Sequence, residues 1–212
     1  MTGTGSDRWV AWSVGGAVWA QGVVLVVMTS PGMRGAVQLL LVAAALGGAA
    51  AFAWRVRGQL DHRVDMALIM ASFGGLGMLL GWWIDQLRLA KPSCCGQLYP
   101  TVWHAVFSLM TLLMLAASVP ASVRFTRCAR LAQQSRRRWV TTHLVGNAAM
   151  IAGMIAGGRL FGAALGALVG APMVGHHLAM VIGMVVGMHA GMWLGEAAVG
   201  LKPWRKEIVP VE

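Results

Sequence analysis

The sequence is poor in charged residues, which make up only 11% of its 212 positions. A soluble domain usually carries about 25%. Acidic residues are the scarcest of them, with 7 Asp and Glu against 17 Lys and Arg. The chain also contains no P-loop, no H-E-x-x-H and no G-x-S-x-G, the motifs that would indicate nucleotide, zinc-protease or hydrolase chemistry. These absences argue against a soluble enzyme of any of those classes.

Long apolar runs take the place of the missing charge. Hydrophobic residues make up 58% of the chain, and the mean hydropathy is +0.67. A run of 18 or more apolar residues is a candidate transmembrane helix, and helices satisfy their own backbone hydrogen bonds inside lipid. We therefore predict an all-α, polytopic helical membrane bundle with residues 1–212 as one domain. The six predicted spans are 9–29, 35–54, 65–84, 101–121, one within 143–173, and 176–197.

The fifth apolar region is longer than a span needs and carries Arg159 in its middle. A span takes about 20 residues. Two interpretations fit this length: one long tilted helix, or a span followed by a re-entrant piece.

Basic residues predict the orientation, because Lys and Arg accumulate on the cytoplasmic side of membrane proteins. With a cytoplasmic N-terminus, thirteen basic residues fall in inside segments and three outside. The inside segments include a basic loop at 123–142 and a tail at 198–212. We expect the protein to lie in a bacterial inner membrane, with both termini in the cytoplasm. The net charge of +10 then follows from orientation and contact with lipid, and it needs no nucleic-acid partner.

Two rows of glycines repeat at every fourth position in the last two apolar regions. Small residues at this spacing let helix backbones approach closely in lipid. We predict that the fifth and sixth segments form a tight hairpin, and that such rows also offer contacts to other membrane subunits or a second copy. The rows are Gly158, Gly162, Gly166 and Gly170, and Gly183, Gly187, Gly191 and Gly195.

Methionine is abundant, with 15 residues, and it is regularly spaced in the sixth span. Methionine is often a flexible filler of apolar gaps, but its thioether is also a soft ligand that suits Cu(I). Histidines in the same span favour the second interpretation, since polar side chains inside membrane helices usually mark a functional site. The predicted metal ligands are His176, His177, Met180, Met184, Met188, His189 and Met192, with His104, Met70, Met78, Met110 and Met114 from neighbouring spans.

Further polar residues lie at the two ends of this array. Cys94 and Cys95 fall in a predicted outer loop, where we expect an accessory metal or redox role, or a disulfide to another chain as the alternative. Glu196 lies at the predicted inner end of the sixth span and would be the exit carboxylate for an ion that enters near His104, His176 and His177.

M-x-x-x-M spacing beside G-x-x-x-G packing resembles the arrangement in eukaryotic Ctr-type copper transporters, although here one span carries both features and six spans replace three. The segment SCCGQLYP is similar to the vicinal cysteines of bacterial mercury-uptake membrane proteins. These are resemblances of chemistry, and they imply soft-metal handling.

Three functions fit the sequence. The first is binding of Cu(I) for transport, storage or delivery. The second is electron transfer as a haem b-binding or quinone-linked subunit, with His104 and His176 or His177 as axial ligands at matching depth. The third is a structural or assembly subunit without a cofactor.

Overall fold

The computed structural model describes residues 5–29, 33–55, 62–89, 101–125 and 136–198, and all of its elements there are helical. The prediction of an all-helical chain is confirmed for these residues. The helices are α1 (Gly5–Thr29), α2 (Met33–Arg55), α3 (His62–Ile69), a π-helical turn (Met70–Gly74), α4 (Gly75–Leu89), α5 (Val102–Val106), α6 (Leu109–Phe125), α7 (Arg136–Val169) and α8 (Pro172–Ala198).

Five stretches of these helices are long and apolar enough to cross a membrane. They correspond to five of the six predicted spans. The remaining prediction, 35–54, lies on α2, where many side chains fall outside the described part of the structure. The five stretches are Trp9–Val27, Met66–Asp85, Val102–Val119, Val140–Val169 and Pro172–Ala198.

The fifth region forms one continuous helix, α7, of 34 residues, which corresponds to the first of its two interpretations. Gly170 ends this helix with a φ of 69°, a conformation that glycine adopts without strain. The Ala171 N–H donates to Gly166 O at 3.1 Å and the Gly170 N–H donates to Ala167 O at 3.3 Å. This pair of bonds is a Schellman motif. Pro172 then begins α8, a position where its missing N–H costs nothing.

The fourth predicted span is interrupted one turn after it begins. α5 ends at Val106 and α6 begins at Leu109. Ser108 Oγ accepts from the Thr111 N–H at 3.2 Å, and Thr111 Oγ1 donates to Ala105 O at 2.6 Å. Side chains thus satisfy the backbone groups that the interruption frees, as an apolar environment requires.

Three antiparallel helix pairs form the bundle, and glycines let each pair approach closely. In the α1–α2 pair, a β-carbon placed on Gly15 would lie 2.8 Å from Gly47 O. In the α4–α6 pair, a β-carbon on Gly81 would lie 2.5 Å from the Met110 Cα. In the α7–α8 pair, a β-carbon on Gly183 would overlap the Gly153 carbonyl.

The α7–α8 hairpin does not use all of the predicted glycine row on α7 for backbone contact. Gly153 and Gly157, which lie before that row, face the backbone at Gly183. Gly158 and Gly162 instead make room for side chains of α8, as described below. Gly166 contacts Pro172, and Gly170 forms the turn. On α8, Gly187 contacts Ala149, Gly191 contacts Ala149 and Val145, and Gly195 contacts Thr142.

The outward faces of the bundle are apolar. Leu160 and Phe161 of α7 and Ile182 and Val186 of α8 are each more than half exposed. Residues of this type in water would form a large apolar patch, whereas in lipid they need no partner. The fold is therefore consistent with a membrane-embedded helical bundle.

Candidate functional site

Methionine dominates the interior of the bundle. Eleven methionines belong to one contiguous buried cluster, each at most 3% exposed. We call this set the methionine core. Its members are Met66, Met70, Met78, Met110, Met114, Met150, Met154, Met180, Met184, Met188 and Met192.

The four regularly spaced methionines of α8 all face inward. A row at fourth-residue spacing drifts about 40° per step around an α-helix, so four methionines need not share one environment. Met180, Met184, Met188 and Met192 are nonetheless all buried, whereas Ile182 is 53% exposed. Along the helix axis the row extends about 18 Å, at a rise of 1.5 Å per residue.

Glycines on neighbouring helices provide the space for these methionines. A β-carbon on Gly74 would lie 3.6 Å from Met184 Sδ and 3.7 Å from Met114 Cγ. One on Gly146 would lie 3.2 Å from Met188 Sδ and 3.4 Å from Met192 Cγ. The α8 row is therefore in close contact with both the π-helical turn and α7.

His177 is the histidine most closely associated with this interior. Its side chain is 2% exposed, and its Nε2 lies 3.1 Å from Gln21 Oε1 of α1. Its Nδ1 is buried and has no hydrogen-bond partner among the described residues. Met180 and Met184 follow three and seven residues later, so all three lie on one face of α8.

Gln21 connects His177 to the π-helical turn. Gln21 Nε2 donates to the carbonyl oxygens of Ala71 and Ser72, both at 2.9 Å. Within the turn, the Gly75 N–H donates to Met70 O, five residues back, and Ser72 Oγ donates to Leu68 O at 2.6 Å. Single π-helical turns inside α-helices are rare and are frequently found at functional sites.

The other predicted histidines have different surroundings. His176 packs against α7, where a β-carbon on Gly162 would overlap its ring and one on Gly158 would lie 3.3 Å from its Nε2. His189 is partly buried. His104 is exposed, and its Nδ1 lies 2.5 Å from Thr101 Oγ1, which caps the start of α5.

Of the predicted residues at the two ends of the array, the structure describes only Glu196. Glu196 is buried, with 6% of its surface exposed, at the end of α8. Cys94 and Cys95 lie outside the described residues. Within the part of the chain that the structure describes, no three His, Cys, Asp or Glu side chains form a metal-ligating group.

The structure adds four residues to the predicted site. Met66, Met150 and Met154 belong to the methionine core, and their signal in the sequence was the pairing of Met66 with Met70 and of Met150 with Met154 at fourth-residue spacing. Gln21 is the fourth addition. Its signal was a lone amide within the first apolar run, since polar residues inside membrane helices are costly and often functional.

Comparison with known protein families, with characterised proteins and with solved structures finds no match to this chain. The function is therefore argued from the residues and their arrangement.

Proposed function

We propose that the protein binds a soft monovalent metal ion, Cu(I), in the methionine core and transports, stores or delivers it. The single observation that supports this most is the presence of eleven buried methionines in one contiguous cluster. Thioether and imidazole groups are neutral, soft to borderline ligands that suit Cu(I). Direct coordination would offset the large cost of taking an ion out of water into an apolar interior.

The order of ligands along α8 supports a path along which the ion moves, as well as a site that binds it. His176 and His177 lie near the start of this helix, the four methionines follow at intervals of about 6 Å, and Glu196 lies near its end. Ligands at this spacing would let an ion pass from one set of sulfurs to the next. We propose that the histidines form the entry and that Glu196 forms the exit.

Orientation follows the predicted distribution of basic residues. We propose six spans in a bacterial inner membrane with both termini in the cytoplasm, which places the start of α8 outside and its end inside. Copper would then enter from the periplasmic side. Contacts to a second copy or to other membrane subunits would use the outward helix faces, because the glycine rows of α7 and α8 mostly contact each other.

Methionine-to-leucine substitution tests the copper proposal. Leucine nearly conserves volume, and such changes usually cost less than about 1.5 kcal/mol of stability, but they remove the sulfur. The purified protein in detergent, kept anaerobic and reduced, is titrated with Cu(I) against a chromophoric chelator. We expect the Met184→Leu/Met188→Leu double variant to lose bound copper and to stay folded by size-exclusion chromatography.

Met173→Leu is the matched control, because Met173 is on the same helix but only partly buried at the edge of the cluster. We expect it to retain copper. A wild-type protein that binds no Cu(I), or a double variant that binds as much as wild type, would overturn the proposal. A Soret band in the visible spectrum would favour the haem alternative instead, and a metal-free protein that co-purifies stoichiometrically with partners would favour an assembly subunit.

A further inference from the structure

The Gln21 side chain is oriented by two backbone carbonyls. Its Nε2 donates to Ala71 O and Ser72 O, both at 2.9 Å. Carbonyl oxygens only accept hydrogen bonds, so the atom facing these two carbonyls must be the amide nitrogen, and the amide oxygen is the other atom. Gly75 makes room for this arrangement, because a β-carbon there would lie 2.5 Å from Gln21 Oε1.

This orientation determines which nitrogen of His177 carries the proton. The partner of His177 Nε2 is Gln21 Oε1, at 3.1 Å. An amide oxygen only accepts, so Nε2 must be the protonated nitrogen that donates to it. A neutral imidazole carries one N–H, which leaves Nδ1 with a free lone pair.

That lone pair is buried in the bundle. His177 Nδ1 has no hydrogen-bond partner among the described residues, and buried polar atoms without one are rare and costly. The ring geometry places Nδ1 on the side away from Gln21. On α8, His177 shares its face with Met180 and Met184 of the methionine core.

We propose that Gln21 is a positioning residue that presents His177 Nδ1 as the nitrogen ligand for Cu(I), beside thioether sulfurs of the methionine core. This inference rests on the proposed function. In metal sites generally, a ligating histidine donates its second N–H to a carboxylate, carbonyl or water that fixes its tautomer and orientation. Here an amide on another helix does so, and the π-helical turn holds that amide in place.

Nitrogen-15 NMR of the full-length protein with labelled histidine tests this directly. Ag(I) serves as a probe for Cu(I), because its spin-½ nucleus couples to the nitrogen to which it binds. His177 signals are assigned by comparison with a His177→Asn variant. Before metal is added, we expect His177 to be the Nε2–H tautomer. After Ag(I) is added, we expect coupling at Nδ1.

The possible failures are distinguishable. Coupling at His177 Nε2, or bound Ag(I) with no coupling to His177, would overturn this inference and leave the proposed function standing. Absence of bound Ag(I) and Cu(I), measured as metal per protein, would overturn both.

Substitution of Gln21 provides a second test. Gln21→Leu removes the acceptor and adds no sulfur, and loss of such an outer partner typically costs 10- to 100-fold in metal affinity. Gln21→Glu keeps an oxygen that accepts from Nε2–H, so we expect a smaller loss. Equal losses in both variants, with no change in the His177 tautomer, would show that Gln21 is only structural.

Discussion

At the scale of the residue, the proposed metal binding by the methionine core depends on one atom type, the thioether sulfur. Leucine would fill the same volume with better-defined rotamers, so packing alone does not require sulfur at eleven buried positions. Glycines lie near some of these sulfurs: Gly74 lies beside Met184, and Gly146 beside Met188. Methionine is long and unbranched, so a methionine sulfur next to glycine can change position more readily than the methyl groups of a branched side chain.

Gly75 provides a residue-scale prediction. A β-carbon there would lie 2.5 Å from Gln21 Oε1, and Gln21 cannot move without loss of its hydrogen bonds to Ala71 and Ser72. We expect Gly75→Ala to destabilise the protein by about 1–3 kcal/mol, the usual cost of overpacking, as a lower Tm in detergent.

Gly48→Ala is the control, since a β-carbon on Gly48 meets nothing within 4 Å. Alanine favours helix over glycine by roughly 0.5–1 kcal/mol, so this variant should keep or raise the Tm. An equal Tm for Gly75→Ala and Gly48→Ala would contradict the tight packing of Gln21 against Gly75.

At the scale of the element, the α7–α8 hairpin depends on backbone-to-backbone contact. A β-carbon on Gly187 would overlap the Ala149 carbonyl, so a larger side chain must push the helices apart. We expect Gly187→Leu to reduce the yield of folded, membrane-inserted protein severely. Fluorescence-detected size-exclusion chromatography of a reporter fusion measures this.

A leucine at Gly16 of α1 serves as the comparison, because that position is exposed and a β-carbon there meets nothing within 4 Å. We expect Gly16→Leu to leave the yield unchanged. A normal yield from Gly187→Leu would mean that the protein folds without close backbone contact between α7 and α8.

Local sequence spacing predicts the helices and their methionine and glycine rows, but it cannot predict which residues of different helices meet. The helices and the α8 methionine row follow from apolar length and fourth-residue spacing, both of which are local properties. Gly157 and Gly158 are adjacent, and only the position of α8 determines that Gly157 meets backbone while Gly158 meets side chains of α8. The bond between Gln21 and His177 joins residues 156 positions apart, and no local pattern encodes it.

At the scale of the whole molecule, the proposed orientation depends on the distribution of basic residues along the chain. The proposed topology places both termini in the cytoplasm and the loop with Cys94 and Cys95 outside. We expect alkaline phosphatase to be inactive when fused after Glu212 and active when inserted in that loop, because the enzyme folds only where disulfides form. A green fluorescent protein fusion should give the opposite pattern. An active phosphatase at the C-terminus would overturn the orientation and reverse the proposed direction of the copper path.

The π-helical turn has a consequence for the alignment of methionines on the third span. Met70 and Met78 are eight residues apart, and in an uninterrupted α-helix their directions would differ by about 80°, at about 100° per residue. A π-helical turn accommodates one extra residue, which reduces this difference to about 20°. Met66 comes into line with Met78 in the same way, and all three are at most 1% exposed. The π-helical turn thus brings two half-helices into register on one inner face. Deletion of one residue from the turn would leave Met70 and Met78 at an α-helical spacing of seven and keep that alignment, whereas insertion of one more residue would rotate Met78 out of the methionine core by about 100°.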